Sequence, residues 1–356
     1  MTIVQGKGTL PREKSGRNIH YDDASLSNYK RVEKGDYIIH LRSFEGGLEM
    51  AHETGIVSPA YTILRCSKPH SSLFYEAYFH TDEFINHVLS KAVEGIRDGR
   101  QISYEAFKWL GIPYCSNAEQ EKISALFDAL NRRIEKQEQI VNALKKYKRG
   151  LVSDILKQNL AVSHESEKWE EVSLNDVADG FEYGMNAAAT TFDGAHKYIR
   201  ITDIDDDSHT YIDCDPVSPS GVLEEKYRVR DNDILFARTG ASVGKSYLYR
   251  KTDGDLFFAG FLIRIHVKDG IDSEYVFLNT LTEEYAKWVL LESARSGQPG
   301  INAEQYRRYR FKLPSLGIQK RIASIAQKLD SQIQRESMCL HLLQEQKLGL
   351  LQQLFI

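Results

Sequence analysis

The residues best suited to bind a ligand form one loop, Ala237–Lys245. The loop carries a guanidinium, two hydroxyls and an ammonium among glycines, on Arg238, Thr239, Ser242 and Lys245. Such side chains donate hydrogen bonds to phosphates and to base edges. The composition is also that of a nucleotide-binding phosphate loop, but three residues separate Gly240 from Gly244 where that motif has four. We therefore predict a DNA contact here and disfavour an ATP site.

A second candidate is the turn Ser296–Asn302. Its amide side chains, Gln298 and Asn302, are of the type that recognises adenine through two hydrogen bonds. The alternative is a plain turn before the last strand. Equivalent places in the first half of the chain predict further DNA contacts at Arg42, Ser43, Arg97 and Arg100.

Catalytic and metal-binding patterns are weak throughout the sequence. The acidic run Asp203–Asp207 lacks the ligand order of a calcium loop and the glutamate that closes it, so a solvated turn is favoured. No Ser–His–Asp, Cys–His or paired-carboxylate pattern stands out. The residues therefore indicate no catalytic, metal or cofactor site, although sequence alone leaves open a triad that is assembled only in space.

The composition says little about which kind of molecule the chain binds. The chain has 356 residues, enough for two domains, and its 46 basic and 50 acidic residues give a net charge of −4. A strongly basic chain would indicate nucleic acid, and this balance neither indicates nor excludes it. The four cysteines are far apart, which disfavours a zinc site, and no secretory or membrane-spanning segment is evident. A cytoplasmic location is expected.

An internal repeat organises the chain. Residues 102–156 resemble residues 301–355 at one offset, since Gln120 and Gln319 stand 199 residues apart. Each copy has apolar residues spaced by three, four and seven, as in a helix of a coiled coil. The predicted seam comprises Ile123, Leu130, Ile134, Leu144, Leu151, Ile322, Leu329, Ile333, Leu343 and Leu350.

Polar residues interrupt both stripes at matching places, as Gln137 and Glu336 do. A polar residue within a seam costs stability but specifies register and partner. We therefore expect the two helices to pair with each other. The alternative is two unrelated amphipathic helices packed on separate domains.

The segments before the helices repeat more faintly, each with strands and turns followed by helices. The predicted fold is α+β, with two mixed α/β domains, each followed by a long helix, the helices pairing as an antiparallel coiled coil. The predicted boundaries are a first domain at 1–114, its helix at 115–160, a second domain at 161–314 and its helix at 315–356. The first domain lacks a counterpart to about thirty residues at the start of the second.

With these features the chain resembles the specificity subunits of type I restriction–modification systems. The resemblance spans essentially the whole chain. It rests on Leu313–Ile322, Gly349–Phe355, Trp169, Leu174–Val177, Asp233–Gly240, Val243, Gly244, Gly297–Asn302, Leu26–Tyr29, Gly35, Asp36 and Gly55–Tyr61. The sequence departs from the family at the shortened start of the first domain.

The resemblance implies a non-catalytic subunit of a methyltransferase and endonuclease complex. Each target-recognition domain would read one half of a split DNA target, while the helices space the domains and dock two adenine methyltransferase subunits. Restriction and translocase subunits would join them. S-adenosylmethionine, ATP and magnesium would belong to those partners. The competing hypothesis is a duplicated coiled-coil scaffold that binds proteins without reading DNA.

Overall fold

The structure is a computed structural model that describes residues 1–6, 8–11, 23–39, 47–94, 101–162, 168–294 and 299–355. It divides into two compact units. The first comprises Met1–Val141 with Arg335–Ile356, and the second comprises Asn142–Gln334. Within the described residues, no helix is long and apolar enough to cross a membrane.

The first unit is built on short antiparallel strands. These are β1 (Thr2–Val4), β2 (Gly8–Leu10), β3 (Lys30–Val32), β4 (Tyr37–Ile39), β5 (Leu48–Met50), β6 (Gly55–Val57), β7 (Thr62–Leu64), β8 (Val93–Glu94) and β9 (Gln101–Ile102). Strands β5, β4 and β7 form a three-stranded sheet, and the others pair as β1–β2, β3–β6 and β8–β9. Strand β4 is buried along its whole length and anchors this unit.

Helices cover that sheet. They are α1 (Ser72–Phe79), α2 (Tyr104–Phe107), the start of α3 (Asn117–Leu156) and short turns at Asp23–Asn28, Glu83–Val88 and Leu89–Ala92. The core of the unit is aromatic, with Phe74 and Tyr78 of α1 and Phe127 of α3 packed around Phe355. Aromatic side chains contribute the largest buried areas of any residue type, so α1 ties the sheet to the long helix.

The second unit has a larger sheet. Its strands are β10 (Glu170–Ser173), β11 (Ala178–Tyr183), β12 (Ala189–Thr191), β13 (His196–Ile199), β14 (Val217–Pro219), β15 (Asp233–Ala237), β16 (Ser246–Leu248), β17 (Asp255–Phe258), β18 (Leu262–Val267) and β19 (Arg310–Leu313). Four of them form an antiparallel sheet in the order β11, β18, β15, β16. Strands β13 and β17 are parallel, and β10 pairs with β19.

The helices of the second unit are α4 (Leu174–Val177), α5 (Ser273–Asn279), α6 (Glu283–Ser293), α7 (Ala303–Arg307) and α8 (Leu316–Leu354), with short turns at Ile201–Asp203, Glu225–Tyr227 and Lys251–Asp253. Side-chain caps begin several of them, since Asp272 accepts from the Tyr275 amide at 3.0 Å and Thr282 from the Tyr285 amide at 3.2 Å. Helices α5 and α6 and the end of α3 share one core with the sheet. The predicted α+β fold is confirmed.

Helices α3 and α8 pair in an antiparallel manner in each unit. In the first, Gln137 donates to the Glu336 carboxylate at 2.6 Å, and the ring of Phe127 lies 6.1 Å from that of Phe355. In the second, Lys148 lies 2.5 Å from the Asp330 carboxylate. The matched polar interruptions at 137 and 336 therefore meet. All ten predicted seam residues are buried or half-buried.

Strand β19 of the second unit has no counterpart in the first. The apolar run that ends at Pro113 corresponds to β19, yet residues 108–116 form no strand. Strand β19 is held by β10, and within the described residues no strand pairs with residues 108–116. The run is therefore unpaired, and Trp109 is 82% exposed.

The same turn precedes the central strand of each unit. Gly35 and Asn232 both have a positive φ, at 91° and 66°. The aspartate that follows accepts from the backbone amide three residues earlier, at 2.7 Å for Asp36 and 2.8 Å for Asp233. The duplication thus preserves local geometry as well as sequence.

A buried glutamine joins each long helix to its unit. In the first, Gln120 accepts from the Ser71 amide at 2.9 Å and donates to the Cys115 carbonyl at 3.0 Å. In the second, Gln319 accepts from the Asp272 amide at 2.9 Å and donates to the Pro314 carbonyl at 2.8 Å. Ser71 and Asp272 are the N-caps of α1 and α5. Each glutamine therefore fixes a long helix to the cap of a domain helix.

Candidate nucleic-acid interface

The two motifs predicted separately in the second unit are neighbours in space. Beyond the end of β15, Thr239 forms a β-bridge with Gly300. The Ile301 amide donates to the Arg238 carbonyl at 2.9 Å, and the Gly240 amide to the Pro299 carbonyl at 3.2 Å. The loop after β15 and the segment before α7 therefore form one surface at one end of the four-stranded sheet.

This loop, residues 238–243, is held firmly at its base. The Gly244 amide donates to the Ala237 carbonyl at 2.9 Å. The hydroxyl of Tyr285 donates to the Gly244 carbonyl at 2.8 Å, and that of Tyr306 to the Ala237 carbonyl at 2.7 Å. Burial raises the pKa of both phenols, which therefore stay protonated as donors. Glycine is required at 244, because φ is +86° and a Cβ would lie 2.6 Å from the Val289 methyls.

Arg238 stands at the exit from β15 and is half-buried. Its guanidinium lies 5.0 Å from the ring centroid of Tyr183, at the end of β11. Its amide donates to the Phe261 carbonyl at 3.0 Å. Thr239 and Ser242 follow in the loop, both half-buried. These three predicted residues share one end of the sheet.

Lys245 is turned toward the protein. Its side chain is 10% exposed, and its ammonium donates to the Ile204 carbonyl at 2.9 Å and pairs with the Asp206 carboxylate. It ties the loop to the acidic run. That run is a turn in which Asp205 accepts from the Ser208 amide at 2.7 Å. Within the described residues, no group of three or more His, Cys, Asp or Glu side chains is placed to hold a metal ion.

Asn302 is the N-cap of α7. Its side-chain oxygen accepts from the Gln305 amide at 2.9 Å, and the Gln305 side chain accepts from the Asn302 amide at 2.9 Å. This reciprocal pair is a capping box. The Asn302 oxygen is therefore engaged, although the residue is exposed beside the loop.

Five predicted contacts lie outside the described residues. They are Gln298 in the second unit and Arg42, Ser43, Arg97 and Arg100 in the first. The DNA-contact assignment of these residues stays a prediction, as it does for the five that the structure places.

Two aromatic residues at this surface were missed by the sequence reasoning. Tyr183 ends β11 and is 42% exposed, and Phe261 precedes β18 and is 61% exposed. The sequence offers one signal for them, the neighbouring glycines at 184 and 260. A Cβ on Gly184 would lie 2.2 Å from the Ala259 carbonyl oxygen, so the glycine allows the two segments to approach.

Comparison with known proteins identifies what this arrangement is similar to. Residues 166–338 match the family model of the type I restriction modification DNA specificity domain. This range contains β10–β19, the loop at 238–243 and the first half of α8. No curated protein matches the chain.

Solved structures share the fold over nearly all of the chain. One, from a structural study of complex assembly and conformational transition of the type I R-M system, has 17% sequence identity and a TM-score of 0.58, covering 92% of this chain and 83% of that one. Another, the S subunit of a type I restriction–modification system from M. genitalium, has 15% identity and a TM-score of 0.58, covering 92% and 84%. At these identities the likeness establishes the fold.

Proposed function

Because residues 166–338 match the model of the type I restriction modification DNA specificity domain, we propose that the chain reads a DNA target in two parts, one with each unit. In this proposal α3 and α8 also dock two adenine methyltransferase subunits. The chain itself catalyses nothing. The methyltransferases carry S-adenosylmethionine, and restriction and translocase subunits use ATP with magnesium. We expect the assembly to work in the cytoplasm.

The observation that carries this proposal is the equivalent set of hydrogen bonds made by Gln120 and Gln319. Gln120 and Gln319 attach each unit to its long helix through the same pair of backbone groups. Two like units, each attached to a like helix, suit two half-sites and two like partners. A rigid helix also defines a gap between half-sites, whereas a flexible linker would permit many gaps.

Exposed apolar side chains on the long helices support docking. In the first unit, Leu126 and Ile140 lie two heptads apart on α3 and are 45% and 44% exposed. On α8, Met338 and Leu342 are one turn apart and are 56% and 55% exposed. Apolar groups exposed among charged ones are a common feature of protein interfaces. We propose that the methyltransferases cover them.

Co-expression with the methyltransferase encoded beside this chain tests the proposal. We expect one chain to co-purify with two methyltransferase subunits, and the assembly to methylate adenine in a two-part motif that genome-wide methylation sequencing identifies. Leu126→Asp with Ile140→Asp should weaken association at least tenfold, since it places charge in an apolar contact. Asn131→Asp with Asn142→Asp adds the same charge to exposed positions of α3 and should leave association unchanged.

Failure of the unmodified chain to associate would contradict the docking role. An assembly that forms but binds all duplexes equally would contradict DNA reading and favour the protein scaffold.

A further inference from the structure

Arg238 differs from the other half-buried arginines of the second unit. Five of these have a carboxylate partner: Arg200, Arg228, Arg250, Arg264 and Arg307. Within the described residues, the Arg238 guanidinium donates no hydrogen bond and forms no ion pair. A half-buried charge is costly when nothing accepts its hydrogen bonds. Its five N–H donors are therefore available to a ligand.

The position of Arg238 is determined from three sides. Its backbone is held on both edges, by the Phe261 carbonyl at 3.0 Å and by the Ile301 amide at 2.9 Å. Its guanidinium lies over Tyr183, with 5.0 Å between the guanidinium carbon and the ring centroid. The Tyr183 hydroxyl in turn accepts from the Ala303 amide at 3.2 Å. Stacking on an aromatic ring presents the edge of a guanidinium and leaves its donors directed outward.

Phe261 adds an exposed apolar side chain at the same end of the sheet, since its carbonyl accepts from the Arg238 amide. It is 61% exposed although both flanking turn positions are held, since the Gly260 amide donates to the Met185 carbonyl at 2.8 Å and the Leu262 amide to the Ala259 carbonyl at 2.8 Å. Because most of this ring stays in water, folding gives it little of the stabilisation that burial of an aromatic side chain provides. Contact with a base, such as a thymine methyl group, would bury it.

We propose that Arg238 reads a guanine in the major groove, that Tyr183 positions its guanidinium, and that Phe261 contacts the adjacent base pair. This inference rests on the proposed function and deepens it by naming the base. Guanine is the fitting partner because its O6 and N7 accept from the two parallel donors of one guanidinium edge. A phosphate contact requires charge but neither this orientation nor the apolar neighbour.

The first test uses methylation sequencing of the assembled, co-expressed system. The half-site read by the second unit should contain a guanine. Arg238→Lys keeps the charge but loses the planar fork, so the motif should become degenerate at that guanine alone. Phe261→Ala should relax the adjacent position by several-fold. Tyr183→Leu should make the motif degenerate at the same guanine as Arg238→Lys does. Tyr183→Phe keeps the ring and should preserve the motif.

The second test removes one atom from the DNA. In duplexes carrying the identified motif, 7-deazaguanine at the predicted position lacks the N7 acceptor. Binding by the unmodified assembly should weaken about tenfold. Arg238→Ala should already bind the natural duplex about tenfold to a hundredfold more weakly, and the 7-deaza substitution should weaken it no further. Leu160→Ala, which truncates an exposed apolar residue next to the end of α3, should behave as the unmodified assembly.

Three results would overturn the inference while leaving the proposed function intact. They are a second half-site without guanine, a motif unchanged in Arg238→Lys, and equal sensitivity of Arg238→Ala to 7-deazaguanine. Uniform weakening on all sequences would instead assign Arg238 to a phosphate. An unmodified assembly that methylates no defined motif would reject the proposed function itself.

Discussion

The two units build the same turn around an aspartate and an arginine, but they surround the arginine differently. In the first unit, Arg65 donates twice to Asp36, at 2.7 Å each, and its side chain is 55% exposed. In the second, Arg264 lies near Asp233 with an exposed fraction of 11%. There the guanidinium also donates to the Arg228 and Lys226 carbonyls.

The carboxylates reflect this difference. Burial acts against ionisation of Asp36, yet the Arg65 guanidinium and the Glu33 amide outweigh it and lower its pKa. Burial dominates at Asp233 and raises its pKa, despite a contact of 2.8 Å with His266. A duplicated turn thus keeps its backbone geometry while the surrounding elements determine its energetics. In the second unit, which has the larger sheet, the Asp233–Arg264 pair is buried.

The largest effect should come from removing the arginine of the second unit, and removing its counterpart in the first should have a much smaller one. Arg264→Met should destabilise the second unit by about 3 kcal/mol, because it removes an almost buried guanidinium that lies near the Asp233 carboxylate and donates to the Arg228 and Lys226 carbonyls. Arg65→Met should destabilise the first unit much less, since the Arg65 side chain is 55% exposed and water can reach the groups that it leaves. Urea unfolding followed by hydrogen exchange of β15 and β4 would measure the two separately. Arg31→Met, at a pair whose arginine is 73% exposed, is the control. Equal losses in the two units would remove the distinction.

Substitution of the two buried glutamines should, in contrast, destabilise both units equally. Gln120→Leu and Gln319→Leu each leave one amide and one carbonyl without a partner in a buried position, at a cost of about 2 kcal/mol. Hydrogen exchange at the first turns of α1 and α5 should rise by similar factors. Gln353→Leu, at an exposed position of α8, should change neither. A loss confined to one unit would show that the two glutamines are not equivalent.

The smallest effect should be a difference in pH dependence between pH 5 and 8. Burial opposes charge on His80 in the first unit, but contact with Glu49 raises its pKa above the ordinary 6.5. His80 therefore stabilises the folded unit below pH 6.5, and this contribution is lost as pH rises through the raised pKa. In the second unit, burial lowers the pKa of His209, and Lys245 adds to the effect.

His209 thus favours the folded unit at higher pH, and its contribution is lost as pH falls below 6.5 toward the lowered pKa. Each contribution should be under about 1 kcal/mol. Hydrogen exchange of both units across this range would reveal slopes of opposite sign. His80→Gln and His209→Gln should each flatten the slope of their own unit, and parallel slopes in the unmodified chain would refute the assignment.

The spacing of apolar residues predicted the two long helices well, because that spacing depends only on the sequence within each helix. The seam spacing identified α3 and α8, and the matched polar residues at 137 and 336 meet as the duplication implied. The recurrence of Gln120 as Gln319 was visible, but their shared bond to a helix cap was not, since it joins residues about fifty positions apart.

The candidate site was less accessible to sequence reasoning. Arg238 and Lys245 look alike in a loop, yet Lys245 reaches inward to Asp206 while Arg238 stacks on Tyr183. Which way each side chain turns depends on strands distant in sequence. Phe261 resembled an ordinary strand residue, and only the tight turn before β18 exposes it. The absence of a strand before Pro113, where the sequence resembles β19, has a similar cause, since a strand requires a partner elsewhere in the chain.

The frame of the loop at 238–243 has a consequence for how new specificities arise. Two buried phenols and a glycine without room for a methyl group secure its base, and none of them depends on the side chains at the tip. Ala241 and Ser242 can therefore change type at little cost to folding. If the proposed function is correct, variation at the tip would alter which bases are contacted while the scaffold stays intact. A change of DNA target and a loss of the fold would then be separate outcomes of mutation.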